Sequence, residues 1–108
     1  MALAAHIWVA AYRKRLDLLG IPCMVIARGD ATAGAVMVKV ATMDGAATVL
    51  HRSFDLMTGD RAWVVLTEGP ERDCDAAIAR QRGFDPDLWV LEVEDPRGRH
   101  LLDQDGLA

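Results

Sequence analysis

The residues best able to do chemistry cluster toward the C-terminal end. Asp85 and Asp87 flank Pro86, Glu92 and Glu94 follow, and Asp95 and His100 come next. On an extended segment, side chains two apart share a face. Glu92 and Glu94 would therefore project together, opposite Trp89, Leu91 and Val93. Hard cations take oxygen ligands, so Asp85, Asp87, Glu92, Glu94 and His100 form a candidate polar site of Mg²⁺ or Mn²⁺ type. The simpler reading is a solvated acidic strand face that pairs across strands with Lys39 and Arg52. It is the preferred one, and no metal ligand is assigned. A nuclease core built on Glu-x-Lys is disfavoured, because Glu92-Val93-Glu94 lacks the lysine.

A second candidate is the loop of Arg28, Gly29 and Asp30, with Lys39 on the strand beyond it. Glycines at 29 and 34 suit a turn, and Asp30 suits capping of backbone donors. A phosphate cradle normally leads into a helix N-terminus. This loop leads into a valine-rich strand, which favours a structural turn.

Other constellations carry less. His6, His51 and His100 are scattered, and neither Cys23–His51 nor Ser53–His51 comes with a nucleophile elbow. Catalytic residues stay unassigned. Cys23 and Cys74 have no metal-ligand spacing and read as packed thiols in a reducing compartment. Arg80, Arg82, Arg97, Arg99 and the run Arg13-Lys14-Arg15 would make a basic patch only if they converged. A net charge of −4 argues against nucleic acid as the partner.

These residues must be positioned by one domain, residues 1–108, since 108 residues leave no room for a second core. At this size roughly two-thirds of the unfolded surface is buried on folding. Residues 3–19 carry Ala5, Trp8, Val9, Tyr12, Leu16 and Leu19 at helical spacing. Gly20 and Pro22 stop that helix. Strands follow over 23–27, 35–42, 47–54 and 61–67, with Met43-Asp44-Gly45 as a tight turn. The first and fourth read as apolar on both faces, hence central. Gly69-Pro70 opens a second helix, Gly83 is expected to cap it, and Phe84 to fold back onto it. Its apolar stripe, Cys74, Ala77, Ile78 and Gln81, is thin. Residues 88–93 form a fifth strand, and 95–108 are expected to fray apart from Leu101 and Leu102.

The expected fold is α+β: a mixed five-stranded sheet and two helices in the order α-β-β-β-β-α-β, one helix per face. The fourth and fifth strands, joined through a helix, should run parallel and side by side. Trp63 and Trp89 would then be neighbours. Basic residues follow the apolar opening rather than precede it, and no run is long enough to span a bilayer. The expectation is a cytoplasmic protein.

Two stretches in order carry a resemblance. The first is Arg28-Gly29-Asp30 with Ala33-Gly34-Ala35. The second runs from Arg80-Gln81-Arg82-Gly83-Phe84 through Asp85-Pro86-Asp87-Leu88-Trp89 to Glu92-Val93-Glu94-Asp95 and Gly98-Arg99-His100. With Trp8 and the Gly20-Ile21-Pro22 turn, the chain resembles a small family of bacterial proteins, domain of unknown function 1491, over nearly its whole length. The resemblance implies a compact bacterial α/β domain and brings no activity, cofactor or catalytic residue. The functional expectation is a non-catalytic binding or assembly domain, homodimeric, its small-molecule or protein ligand undetermined. The alternative is a small metal-dependent hydrolase or phosphate-ligand enzyme using the carboxylates around the last strand.

Overall fold

The structure is a computed structural model and describes residues 3–104, 106 and 107. Met1, Ala2, Asp105 and Ala108 lie outside the described residues. Helix α1, Ala5–Leu18, buries Ala5, Trp8, Val9, Tyr12 and Leu16 along one stripe. It stops where Gly20 takes a φ of 71°, a left-handed conformation natural to glycine. Leu19 is exposed rather than part of the stripe, because the helical period has ended before it. The strands are β1 (Cys23–Ala27), β2 (Val36–Ala41), β3 (Ala46–Phe54), β4 (Arg61–Pro70) and β5 (Trp89–Glu94), with α2 (Glu71–Phe84) between the last two.

The sheet is ordered β1-β5-β2-β3-β4. β2, β3 and β4 form an antiparallel meander; β5 runs parallel to β2 and antiparallel to β1. β4 and β5 therefore point the same way, as expected, but β3 and β2 lie between them. The inner edge of β4 is already zipped to β3. The chain crosses the meander through α2 and sets β5 against the free edge of β2. Trp63 and Trp89 are consequently apart. Trp63 instead packs on Trp8, with ring centroids 5.4 Å apart.

The helices occupy opposite faces. Val36, Val38 and Val40 of β2 and Trp89, Leu91 and Val93 of β5 point into the core under α1. Met37, Val49 and Val90 alternate with them and meet Cys74 and Ile78 of α2. Each such fully buried side chain contributes about 1.5–3 kcal/mol of hydrophobic stabilisation. β1 and β4 are the edges rather than the centre. Met24 and Ile26 are exposed on the α2 side of β1, and most of β4 is exposed. A continuous apolar run marks a strand as central only if helices cover both its faces; α1 covers Cys23 and Val25 of β1 and Trp63 of β4, but the opposite face of β1 and most of β4 stay open.

Two local expectations are also corrected. Gly83 remains helical, α2 continues to Phe84, and Phe84 is exposed. The helix ends because Asp85 is extended ahead of Pro86, a residue that disfavours the helical region for its predecessor. Leu102 docks in the α1-side core as expected, but the tail beyond it does not fray: Leu107 is buried there too. Tyr12 Oη–H donates to the His100 carbonyl at 2.8 Å, and Trp63 Nε1–H donates to the Leu107 carbonyl at 2.7 Å.

The return of the tail is set by Asp95. Its buried carboxylate accepts from Arg99 N at 2.7 Å, Nε at 3.0 Å and Nη2 at 3.2 Å. The guanidinium of Arg99 holds the Asp95 carboxyl below the usual carboxylate range. A depressed folded-state value gives stability that is present above the unfolded value of about 3.9 and lost as pH falls through the folded one. Asp95→Asn should therefore lower the melting temperature at pH 7. The separation from the parent should shrink as pH falls below the ordinary carboxylate range, where the parent's Asp95 loses its charge as well. Among the described residues no helix is long and apolar enough to cross a membrane.

Candidate functional site: the Lys39 cluster and the Trp89 loop

The two stretches that carry the family resemblance meet in space. Asp30 N–H donates to the Asp87 carbonyl at 3.0 Å, and Trp89 Nε1–H donates to the Asp30 carbonyl at 2.8 Å. The Asp30 carboxylate accepts from Thr32 N at 3.1 Å and Ala33 N at 2.8 Å. Gly29 and Gly34 sit directly on the backbone of Asp87 and the indole of Trp89, where a Cβ has no room. The Arg28 guanidinium lies 5.2 Å over the Trp89 ring. The loop also closes the start of α1. Ala31 and Thr32 carbonyls accept from His6 N and Ala5 N at 2.9 and 3.0 Å, serving donors that a helix start leaves open. Arg28, Gly29, Asp30, Asp87 and Trp89 are thus joined in one backbone-to-backbone knot. Asp85 adds a turn within it, its carboxylate accepting from Asp87 N at 3.0 Å.

Lys39 is elsewhere, on the α2 face. It follows Met37 on β2 and directly opposes Glu92 on β5. Its ammonium reaches Glu71 Oε1 and Asp75 Oδ1 at 2.8 Å each and Glu92 Oε1 at 3.0 Å. Three donors on Nζ thus meet three carboxylates. Burial alone would lower the lysine pKa, but hydrogen bonds to Asp75, Glu71 and Glu92 outweigh it and raise it well above the ordinary value. Lys39 therefore stays charged at any physiological pH. It has no free amine for Schiff-base or general-base chemistry. The ammonium also takes the place among the three carboxylates that a cation would need. A groove of about 230 Å³ opens beside the cluster, with Ile26, Ile78 and Val90 on its apolar wall and Lys39, Asp75 and Glu92 on the polar one.

The sequence-proposed carboxylates are thus divided. Asp85 and Asp87 lie in the turn before β5, Glu92 is bound to Lys39, and Glu94 is half-buried at the far end of the strand. His100 accepts from Leu102 N at 3.0 Å through Nδ1, inside the folded tail. Among the described residues no group of three His, Cys, Asp or Glu side chains is placed to hold a metal. Cys23 packs on the α1 side of the sheet and Cys74 on the α2 side, both reduced. Burial pushes the Cys23 thiol up to about 11, against an opposing pull from Arg13, and burial also raises that of Cys74. Neither suits a reactive thiolate.

Glu71 and Asp75 were missed from sequence, although a signal existed. A lysine inside the apolar run Val36–Ala41 must bury its ammonium and so requires carboxylates. Glu71 and Asp75, one helical turn apart, are the pair an adjacent helix offers. Arg52 was read only as a strand cation. It lies against two indoles, its guanidinium carbon 4.8 Å from the Trp8 ring centroid and 5.1 Å from that of Trp63.

No match is found among curated proteins. A crystal structure of a DUF1491 family protein from Caulobacter crescentus CB15 is similar, with a TM-score of 0.84 and 39% identity over 96% of each chain. An NMR structure of a DUF1491 family protein from the same organism gives 0.82 at 41% identity, covering 95% of this chain and 94% of that one. The solution structure of protein Atu0922 from A. tumefaciens gives 0.74 at 25% identity, covering 87% and 86%. Residues 3–103 match the family described as Protein of unknown function (DUF1491), and the chain belongs to that family.

Proposed function

We propose that this is a non-catalytic assembly domain of the bacterial cytoplasm, working as a homodimer joined through β4. The observation that carries the reading is the open outer edge of that strand. β4 is ten residues long and pairs only with β3. Residues 62–67, Ala-Trp-Val-Val-Leu-Thr, hold no charge, and Val64 and Val65 are 37% and 51% exposed. Soluble proteins normally blunt such an edge with charges or proline, and here proline comes only at Pro70. The hairpin tip beside it exposes Leu56 and Met57 at 91% and 96%.

A second copy fits this edge by its own symmetry. An antiparallel pairing centred on Val64 sets Val64 against Val64 and Trp63 opposite Val65. The irregularity that adds a residue to β4 against Val49 and Leu50 then brings Arg61 opposite Glu68 of the second copy. Unlike charges thus close both ends of an apolar seam. The cytoplasmic assignment is supported by the two free, shielded thiols. The bacterial one is supported by the organisms of the similar structures. Metal-dependent hydrolysis gains no support, since Glu92 is already committed to Lys39.

Light scattering after size exclusion at about 100 µM tests the pairing, micromolar affinity being ordinary for an interface of this kind. The expected mass is twice that of one chain. Val64→Lys puts two ammonium groups face to face and should return the single-chain mass with an unchanged circular-dichroism spectrum. A parent protein that elutes as a single chain at that concentration ends the proposal.

A further inference from the structure

The pocket at the start of α1 is the strongest unassigned feature. It has a volume of 410 Å³, and Ala4, Trp8, Thr32, Val36, Arg52 and Arg61 are among its walls. Two arginines line it and no acidic side chain does. Nor does an acidic residue stand in the first turn of α1, so the positive end of the helix dipole adds to the same potential. The Arg52 guanidinium lies against both the Trp8 and Trp63 rings, at the side of the pair they form with each other. Its Nε and Nη2 are buried without a hydrogen-bond partner, and so is Trp8 Nε1. Buried donors are ordinarily satisfied. Here the fold assembles three that are not, beside a cavity with a surplus of positive charge. Desolvation by burial, reinforced by Arg61, lowers the Arg52 pKa, as for a cation lacking its counter-ion.

We propose that this pocket binds the phosphate group of a small phosphorylated molecule, with Arg52 as its principal ligand and Arg61 beside it. The Nε–Nη2 edge of a guanidinium is the fork that takes two oxygens of one oxyanion. Both nitrogens are shielded from water, so the proposed binding requires the guanidinium to turn toward the cavity. A phosphate dianion gains from both arginines and the helix end together, whereas a carboxylate carries half the charge. The volume exceeds what a bare ion fills, and Ala4 and Val36 give an organic portion an apolar wall. Arg52, the principal ligand, lies on β3 and points to the α1 face, away from the β4 seam; Arg61, on β4, shares its charge with Glu68 of the second copy when the two edges pair.

Titration of the ¹⁵N-labelled protein with inorganic phosphate, phenyl phosphate and acetate at constant ionic strength tests it, read at the Trp8 and Trp63 indole N–H resonances. The expected result is a saturable shift with both phosphates, tighter for phenyl phosphate, and at least tenfold weaker binding of acetate. Arg52→Gln should weaken phosphate at least tenfold. Arg52→Lys, which keeps the charge and loses the fork, should do so nearly as much and decides the matter if the glutamine variant does not fold. The same titration in Val64→Lys should still saturate and still depend on Arg52, which separates this site from the dimer. A non-saturating response, equal affinity for acetate, or undiminished phosphate binding by Arg52→Lys overturns the proposal.

Discussion

Gly29→Ala should lower the unfolding free energy by about 3 kcal/mol or more, at or above the upper end for overpacked interiors. Urea titration followed by tryptophan fluorescence would measure it. The new methyl would lie inside the contact radius of the Asp87 carbonyl oxygen and within 2.6 Å of Trp89 Cδ1 and 2.7 Å of Trp89 N. Two of these obstacles are backbone, and the third is an indole fixed by its bond to the Asp30 carbonyl. None can step aside without breaking the hydrogen bonds that hold the loop to the start of β5, and with them the placement of the Ala31 and Thr32 carbonyls that serve the first donors of α1. Gly20→Ala is the control. Its φ of 71° strains any side chain, but no atom lies within 4 Å. Its cost should be the conformational ~1–2 kcal/mol alone. Equal effects of the two substitutions would show that Gly29 is needed for flexibility and that the close packing is not what matters.

The second large effect is expected of Lys39→Met. Removing the ammonium leaves Glu71, Asp75 and Glu92 facing one another with nothing between them. Breaking a fully buried ion pair costs ~3–5 kcal/mol. Two of these carboxylates are 40% and 60% exposed and recover part of their hydration, so about 2–3 kcal/mol at pH 7 is expected. The pH dependence has a definite sign. In the parent, the raised Lys39 pKa means its contribution is fully present below the unfolded value of about 10.4 and lost only as pH rises through the folded one. In the variant, three crowded carboxylates bind protons more readily folded than unfolded, so stability falls as pH rises through their range. The gap between the proteins should thus narrow from pH 7 to about pH 4. Adding Glu92→Gln to Lys39→Met should restore part of the loss. A variant as stable as its parent at pH 7 would mean that the cluster is a surface network of no consequence.

Much of this architecture was legible locally. The spacing of Trp8, Tyr12 and Leu16 and the stop at Gly20 located α1. The alternation in β5 correctly opposed Glu92 to Leu91 and Val93, and the two helices do lie on opposite faces. What escaped was non-local. Nothing in Cys-Met-Val-Ile-Ala says that one of its faces goes uncovered, because coverage depends on where α1 and α2 end. The adjacency of β5 with β2 is equally invisible, since the free edge of β2 becomes available only after the meander has formed. For the candidate site, Lys39 and Glu92 were visible as a cross-strand pair. Glu71 and Asp75 looked like ordinary acidic residues at a helix start, and Arg52 like a surface cation. Each acquires its role from an element distant in sequence.

The place of β5 also bears on how the chain is made. It is the last strand to leave the ribosome, yet both neighbours, β1 and β2, hydrogen-bond to it. Until residue 94 has emerged, β1 has no partner at all, and the α1-side core lacks Trp89, Leu91 and Val93. Helix α1, the first element of the domain, has only part of its docking surface, from β2, β3 and β4, until the last strand is in place. Completion of the α1-side core is therefore a late step, and nascent chains stalled short of that point would present sticky, half-built intermediates to chaperones.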